Sequence, residues 1–339
     1  MDLPKSNKRI KDYKIKVESM SGVIVFGGSG FIGSHLINKL VARNISPIIS
    51  VDIKPPRVNV DGVNYVTADV RNLSTFALNN ASISTIYNFA AIHTTPGHES
   101  HEYYETNILG ANEITKFAES NGINEVVFTS SISVYGPSEN RKTEASTPAP
   151  VSSYGFSKMM AEQIHKAWHE RNKKSKLIVV RPAVVFGPGE GGNFTRLASL
   201  LDKGFFIYPG RKDTIKSCIY VDDLLYSIEH ARNKNTNFIL FNGAYTTRYT
   251  LENIVNTFEK QHFPKVKTML FPKSVMLAGA SFLKLINFLD IGIHPERILK
   301  LIHSTDVYPQ WLEDEGLIFE SGLEKALDKW AQDTDGSFK

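Results

Sequence analysis

The sequence predicts an α/β fold, a doubly wound parallel sheet with a smaller mixed α/β C-terminal lobe, and three observations carry that prediction. Short apolar runs rich in β-branched residues recur at residues 23–26, 47–52, 63–67, 85–91, 125–129 and 176–181, and they read as buried strands. Amphipathic segments separate these runs, which is the alternation of a parallel sheet with helices on both faces. The first run ends in Gly27-Gly28-Ser29-Gly30-Phe31-Ile32-Gly33, and an amphipathic segment starts at once with Ser34-His35-Leu36-Ile37.

That order of strand, tight turn and helix gives each glycine a job. One turns the backbone, one lets it approach a pyrophosphate, and one lets the helix pack close to the sheet. The helix N-terminus presents unpaired N–H groups and a partial positive charge to phosphates. Gly27, Gly30, Phe31, Ile32 and Gly33 are therefore the predicted seat of a dinucleotide on a Rossmann-type domain. The second run ends in Asp52, about 20 residues past the last glycine. A carboxylate there accepts both hydroxyls of an adenosine ribose and repels a 2′-phosphate, which predicts NAD rather than NADP. Lys54 and Arg57 follow closely and leave NADP open.

The next elements place further groups at the strands' C-terminal ends. Asp69 can meet the adenine amino group with Val70 against the ring, or it can cap a helix from Leu73. The small Ala90-Ala91 pair lets backbone pass close to a cofactor. Thr129, Ser130 and Ser131 put hydroxyls at the end of the fifth run. A Ser-, Thr- and Pro-rich loop over residues 136–152 leads into a helix on which Tyr154 and Lys158, four apart, share a face. Past Gly187-Pro188-Gly189-Glu190-Gly191-Gly192 the elements shorten. The expected organisation is an N-terminal extension over residues 1–20, a Rossmann domain over 21–187 to which later segments return, and a mainly substrate-binding lobe over 188–339.

Composition bounds the function. The 339 residues are 42% hydrophobic, enough for a large core, and the formal charge of +4 is spread along the chain, so nucleic acid is not expected as a partner. Cys218 is the single cysteine, which excludes an internal disulfide and a cysteine-based metal site; no metal is expected, and a cytoplasmic location fits. No run reaches the ~18 apolar residues of a membrane span. Residues 275–289 read as an amphipathic helix, with a lipid pocket lined by 271–289 or membrane-surface contact as the alternatives.

Taken together, these pieces resemble the extended short-chain dehydrogenase/reductase family, especially its nucleotide-sugar epimerases and dehydratases. The resemblance rests on the glycine motif, Asp69-Val70-Arg71, Asn107-Ile108-Leu109-Gly110 and Ser130-Ser131-Ile132-Ser133-Val134-Tyr135-Gly136. It continues through Tyr154 to Lys158, Arg181-Pro182-Ala183-Val184-Val185-Phe186-Gly187, Tyr220-Val221-Asp222-Asp223 and the closing Gly322 to Trp330. It implies NAD as cofactor, with Asn107, Tyr154, Lys158 and Pro182 joining the residues around it. Tyr154 would take a proton from a sugar hydroxyl as hydride leaves the same carbon. Lys158 would lower the phenol's pKa and bond the nicotinamide ribose, and Ser131 would hold the reacting oxygen.

Departures from the family's pattern narrow the chemistry. Ile132 and Ser133 stand where dehydratases carry an Asp-Glu pair, which disfavours loss of water. The expected activity is a nucleotide-sugar 4-epimerase acting on a UDP-sugar through a 4-keto intermediate. A reductase of a nucleotide 4-keto sugar and a hydroxysteroid or lipid dehydrogenase are the alternatives. For the substrate, Asn193 matches a phosphate-binding amide or else caps a helix. Lys216 takes the place of a common arginine but lacks its bidentate fork, so Arg211 or Arg297 could substitute. His93 reads as polar surface, and Phe205, Phe206 and Tyr208 as base-stacking or core residues. Relatives pair helices like those near residues 102–120 and 157–171, which implies a homodimer.

Overall fold

The computed structural model describes residues 22–78, 81–94, 97–272 and 302–339. The N-terminal extension, Arg297 and residues 273–289 of the apolar segment lie outside the described residues. In chain order the strands are β1 (Gly22–Phe26), β2 (Ile48–Asp52), β3 (Val63–Thr67), β4 (Ile83–Asn88), β5 (Glu125–Thr129), β6 (Ser138–Lys142), β7 (Lys176–Pro182), β8 (Val184–Phe186), β9 (Phe205–Gly210), β10 (Cys218–Tyr220), β11 (Phe238–Gly243), β12 (Lys267–Pro272) and β13 (Thr305–Val307). Seven of them form one sheet in the order β11-β7-β5-β4-β1-β2-β3, with every pair parallel. The expected doubly wound sheet is therefore present.

Alternation along β1 explains why both faces are covered. Val23 and Val25 point to one side and pack with Leu36, Ile37 and Leu40 of α1 (Phe31–Ala42). Ile24 and Phe26 point to the other, against Ile114 and Phe117 of α3 (Gly110–Ser120) and Ala161 and Trp168 of α4 (Ser153–Arg171). Between α1 and α3 lies α2 (Ser100–Tyr104). From β1 the chain winds outward to β2 and β3, then crosses to β4 on β1's other side. That reversal opens a crevice beyond the C-terminal ends of β1 and β4, where ligands of such sheets bind.

The C-terminal half is divided between sheet and lobe. α6 (Val221–Arg232) and β11 return to the main sheet, beside β7. The lobe comprises α5 (Asn193–Asp202), α7 (Leu251–Gln261), the β9–β12 pair and the closing helices α8 (Gln310–Asp314) and α9 (Gly322–Asp333). Two local expectations fail. No helix starts at Leu73: residues 71–78 form turns, because the Asn72 side chain accepts from Ser74 N–H (3.1 Å) and competes with helical bonding. The helix expected over residues 102–120 is interrupted by a π turn, Glu105–Leu109.

Candidate active site

The glycine turn makes a cradle that side chains would fill. Gly27 has φ +79°, and a Cβ there would lie 2.6 Å from Ala90 N; one on Gly33 would lie 2.3 Å from Gly27 O. The turn thus requires glycine both for its backbone and for its close approach to the β4 end. Gly30 is the N-cap of α1 with no side-chain cap, and no acid occupies that helix's first turn. Phe31 and Ile32 open the helix, so their N–H groups stay available to an anion. Asp52 stands over the same turn, accepting from Ser29 N–H at 3.1 Å and Lys54 N–H at 3.0 Å. These residues fit a dinucleotide.

Arg57 belongs to this rim. Its guanidinium donates to Ser29 O (3.3 Å) and Gly189 O (2.5 Å), and the His35 ring reaches Pro188 O (2.8 Å). The loop after β8 is thereby tied to the dinucleotide turn. On the adenine side the result is mixed. Asp69 lies two residues past the end of β3, and its carboxylate is gripped by Arg71 Nε and Nη2, which hold its pKa below the usual range. Val70 is a buried core residue, its Cγ2 3.0 Å from where a Gly110 Cβ would stand.

Asn107 sits in the π turn and is buried. Its amide accepts from Ile92 N–H (3.0 Å) and donates to Ile92 O (3.1 Å) and Ser157 Oγ (2.8 Å). Both of its N–H groups are spent on the chain. Asn107 therefore pins the loop after Ala90-Ala91 to α4, one residue before Lys158. Pro182 closes β7 and is buried.

Ser131, Tyr154 and Lys158 meet at the C-terminal end of β5. Ser131 caps a 3₁₀ turn by accepting from Ser133 N–H (3.1 Å), and its hydroxyl also hydrogen-bonds the Tyr154 phenol. Tyr154 enters at the start of α4, whose N-cap Ser152 accepts from Gly155 N–H (3.1 Å). Burial pushes the phenol up to about 12, with the Ser131 hydrogen bond working against it. Lys158 is buried, donates to Thr129 O (2.8 Å) and lies 4.9 Å from the Phe128 ring centre. Burial lowers its pKa to about 7, while the Glu162 charge opposes that. In this structure the Lys158 amine is turned onto Thr129 O, and burial outweighs the other influences on the Tyr154 phenol.

Two participants carried too weak a signal in the sequence. Glu162, one turn past Lys158, is buried and accepts from the Ser130 hydroxyl and from Arg181 Nε (2.8 Å) and Nη2 (2.6 Å). Its i,i+4 spacing from Lys158 was the available clue. Tyr103 lies 6.2 Å from Tyr154, ring centre to ring centre. His93 is exposed, as expected of polar surface, and the Lys158 charge is near enough to join burial in lowering its pKa.

The substrate side is less assembled. Asn193 is the first residue of α5 and exposed; the N-cap is Gly192, and Glu190 caps the helix by accepting from Thr195 N–H (3.1 Å). Lys216 donates to His303 O (2.6 Å), and burial lowers its pKa to about 8. Arg211 is held by Asp213 (2.7 Å) and Glu139 (3.0 Å). Phe206 and Tyr208 are core residues, whereas Phe205 is exposed. Among the described residues no helix is long and apolar enough to cross a membrane, and no cluster of His, Cys, Asp and Glu could hold a metal.

Known proteins resemble this chain in sequence and in fold. The chain is 26% identical over 317 residues to the N-acetyl-alpha-D-glucosaminyl-diphospho-ditrans,octacis-undecaprenol 4-epimerase of Escherichia coli O157:H7, covering 91% of this chain and 94% of that one. It is 26% identical to a UDP-glucose 4-epimerase of Vibrio cholerae over 65% of this chain and 70% of that one. The fold matches the UDP-Glc/GlcNAc 4-epimerase structure from Campylobacter jejuni with a TM-score of 0.65 at 20% identity, covering 75% and 87% of the two chains. The NAD dependent epimerase/dehydratase family model matches residues 23–238, the stretch that carries the glycine turn and the Ser131–Tyr154–Lys158 cluster, and the chain belongs to that family.

Proposed function

We propose that the protein is an NAD-dependent 4-epimerase of a nucleotide sugar, with a UDP-sugar as the first candidate. The observation that carries this reading is the meeting of Ser131, Tyr154 and Lys158 beside the dinucleotide turn, with Ile132 and Ser133 where an eliminating enzyme would need acids. Gly27, Gly30, Phe31, Ile32, Gly33 and Asp52 would hold NAD. When bound, NAD supplies an oxidised nicotinamide that can accept hydride from the sugar's C4 and return it. The chain's own residues handle the proton. Ser131 Oγ orients the C4 hydroxyl, and Tyr154, once ionised, takes its proton as the carbonyl forms. After the keto sugar turns over in the site, so that hydride would return to the other face of C4, Tyr154 gives the proton back to O4. Lys158 supplies the positive charge that favours the phenolate, which requires its amine to leave Thr129 O.

The enzyme would work as a homodimer. Tyr104, Leu109, Phe156 and Met160 are exposed on α2, the π turn and α4, the helices expected to pair. A second reading concerns the carrier: the E. coli relative matching 91% of this chain is named for a sugar joined through a diphosphate to undecaprenol. Both carriers present a diphosphate, so both are tested. The deciding experiment incubates the purified protein with a panel of UDP-sugars and a polyprenyl-diphosphate sugar. Interconversion of 4-epimers without added cofactor is expected. Net NADH formation or consumption, or no turnover by NAD-loaded protein, would refute the epimerase reading.

A further inference from the structure

β9 and β12 pair in parallel register, with Phe205 opposite Lys267 and Ile207 opposite Met269. Because side chains alternate across a strand, these four residues share one face. The opposite face of β9 carries Phe206 and Tyr208 into the core. The first face is open: Phe205, Ile207 and Met269 are 45%, 42% and 46% exposed. Cations gather at the end where both strands begin. Lys203 and Lys265, each two residues ahead of the Phe205–Lys267 pair, are exposed, as is Lys267, beside one exposed acid, Asp202. None of these three lysines forms an ion pair among the described residues; the lobe's neighbouring pairs run elsewhere, as from Lys212 to Glu252. In the sequence itself no Asp or Glu occurs from Pro264 to Leu289.

We propose that this β9–β12 face docks on an anionic lipid bilayer. Apolar side chains beside a cluster of lysines match the boundary between acyl chains and phosphate headgroups. A second copy of the chain is a poorer occupant, since its same face would bring three more lysines and only one exposed acid to the contact. The inference rests on the polyprenol-carrier reading for the substrate the enzyme would meet there, and on the surface alone for the docking.

Co-sedimentation of the full chain with sucrose-loaded phosphatidylcholine vesicles, with and without phosphatidylglycerol, tests it. Binding is expected only with the anionic lipid and should weaken in high salt. Replacing Lys203, Lys265 and Lys267 by Gln should lower the partition coefficient by about fivefold per lysine. Phe205→Ser with Ile207→Ser and Met269→Ser should lower it at least ~tenfold. Both variants should keep the wild-type melting curve, and the lysine variant the turnover of a soluble UDP-sugar; Ile207→Ser with Met269→Ser serves if the triple variant is unstable. The proposal is overturned if the wild type stays in the supernatant, if the apolar variant still sediments fully, or if that variant changes the oligomeric state in solution. Sedimentation that responds to the variants while no sugar is turned over would uphold docking and sink the epimerase reading instead.

Discussion

Lys158→Met should stabilise the NAD-free protein while removing its activity. The substitution exchanges a buried amine for an apolar chain of similar length. Burial holds the folded amine at about 7 instead of its ordinary 10.5. Between those values the unfolded chain binds more protons than the folded one, so this group makes stability rise with pH, and below the folded pKa its full cost is present. A gap of that size corresponds to roughly 4–5 kcal/mol. Loss of the hydrogen bond to Thr129 O costs about 1 kcal/mol, and loss of the cation over the Phe128 ring about 0.5–2 kcal/mol. The variant should therefore be more stable by roughly 1–3 kcal/mol at pH 6, an advantage that shrinks as pH rises through 7 and reverses near pH 10. Urea unfolding of the NAD-stripped proteins, followed by circular dichroism at pH 6 and pH 9.5, measures it. A variant less stable at pH 6, or a difference that ignores pH, would refute the reasoning.

Four further outcomes are expected. Tyr154→Phe keeps the ring packing and NAD binding but should lose ~10²–10⁴-fold in turnover, read in a coupled epimer assay against cofactor occupancy; near wild-type turnover at full occupancy contradicts the mechanism. Asp52→Gly should narrow the preference for NAD over NADP in competitive titration, because it removes the carboxylate that would face a 2′-phosphate. Gly33→Ala puts a methyl 2.3 Å from Gly27 O, which should destabilise the fold by about 1–3 kcal/mol and abolish NAD binding in calorimetry. Arg232→Met removes the partner of Glu125 (2.7 Å) and Glu229 (3.2 Å) at a site where the arginine is 7% exposed. Glu229 keeps Arg43 (3.1 Å), but Glu125 is left with only the Thr85 hydroxyl (2.7 Å), and this should cost about 3 kcal/mol in urea unfolding.

The sequence by itself determined the sheet, the dinucleotide turn and the pairing of Tyr154 with Lys158 on one helix face. Each of these follows from short-range physics: apolar periodicity, the glycine-only conformation of Gly27, and the helical repeat. Tertiary structure decided what depends on residues distant in sequence. Thr129 O captures Lys158 from 29 residues away, and Ile92 captures Asn107 from 15. His303 O captures Lys216 from 87 residues away. A side chain's type and spacing state which bonds it can make. Its charge, pKa and partner are set only when folding withdraws it from water and leaves particular groups within reach, because desolvation and hydrogen bonding depend on the assembled surroundings.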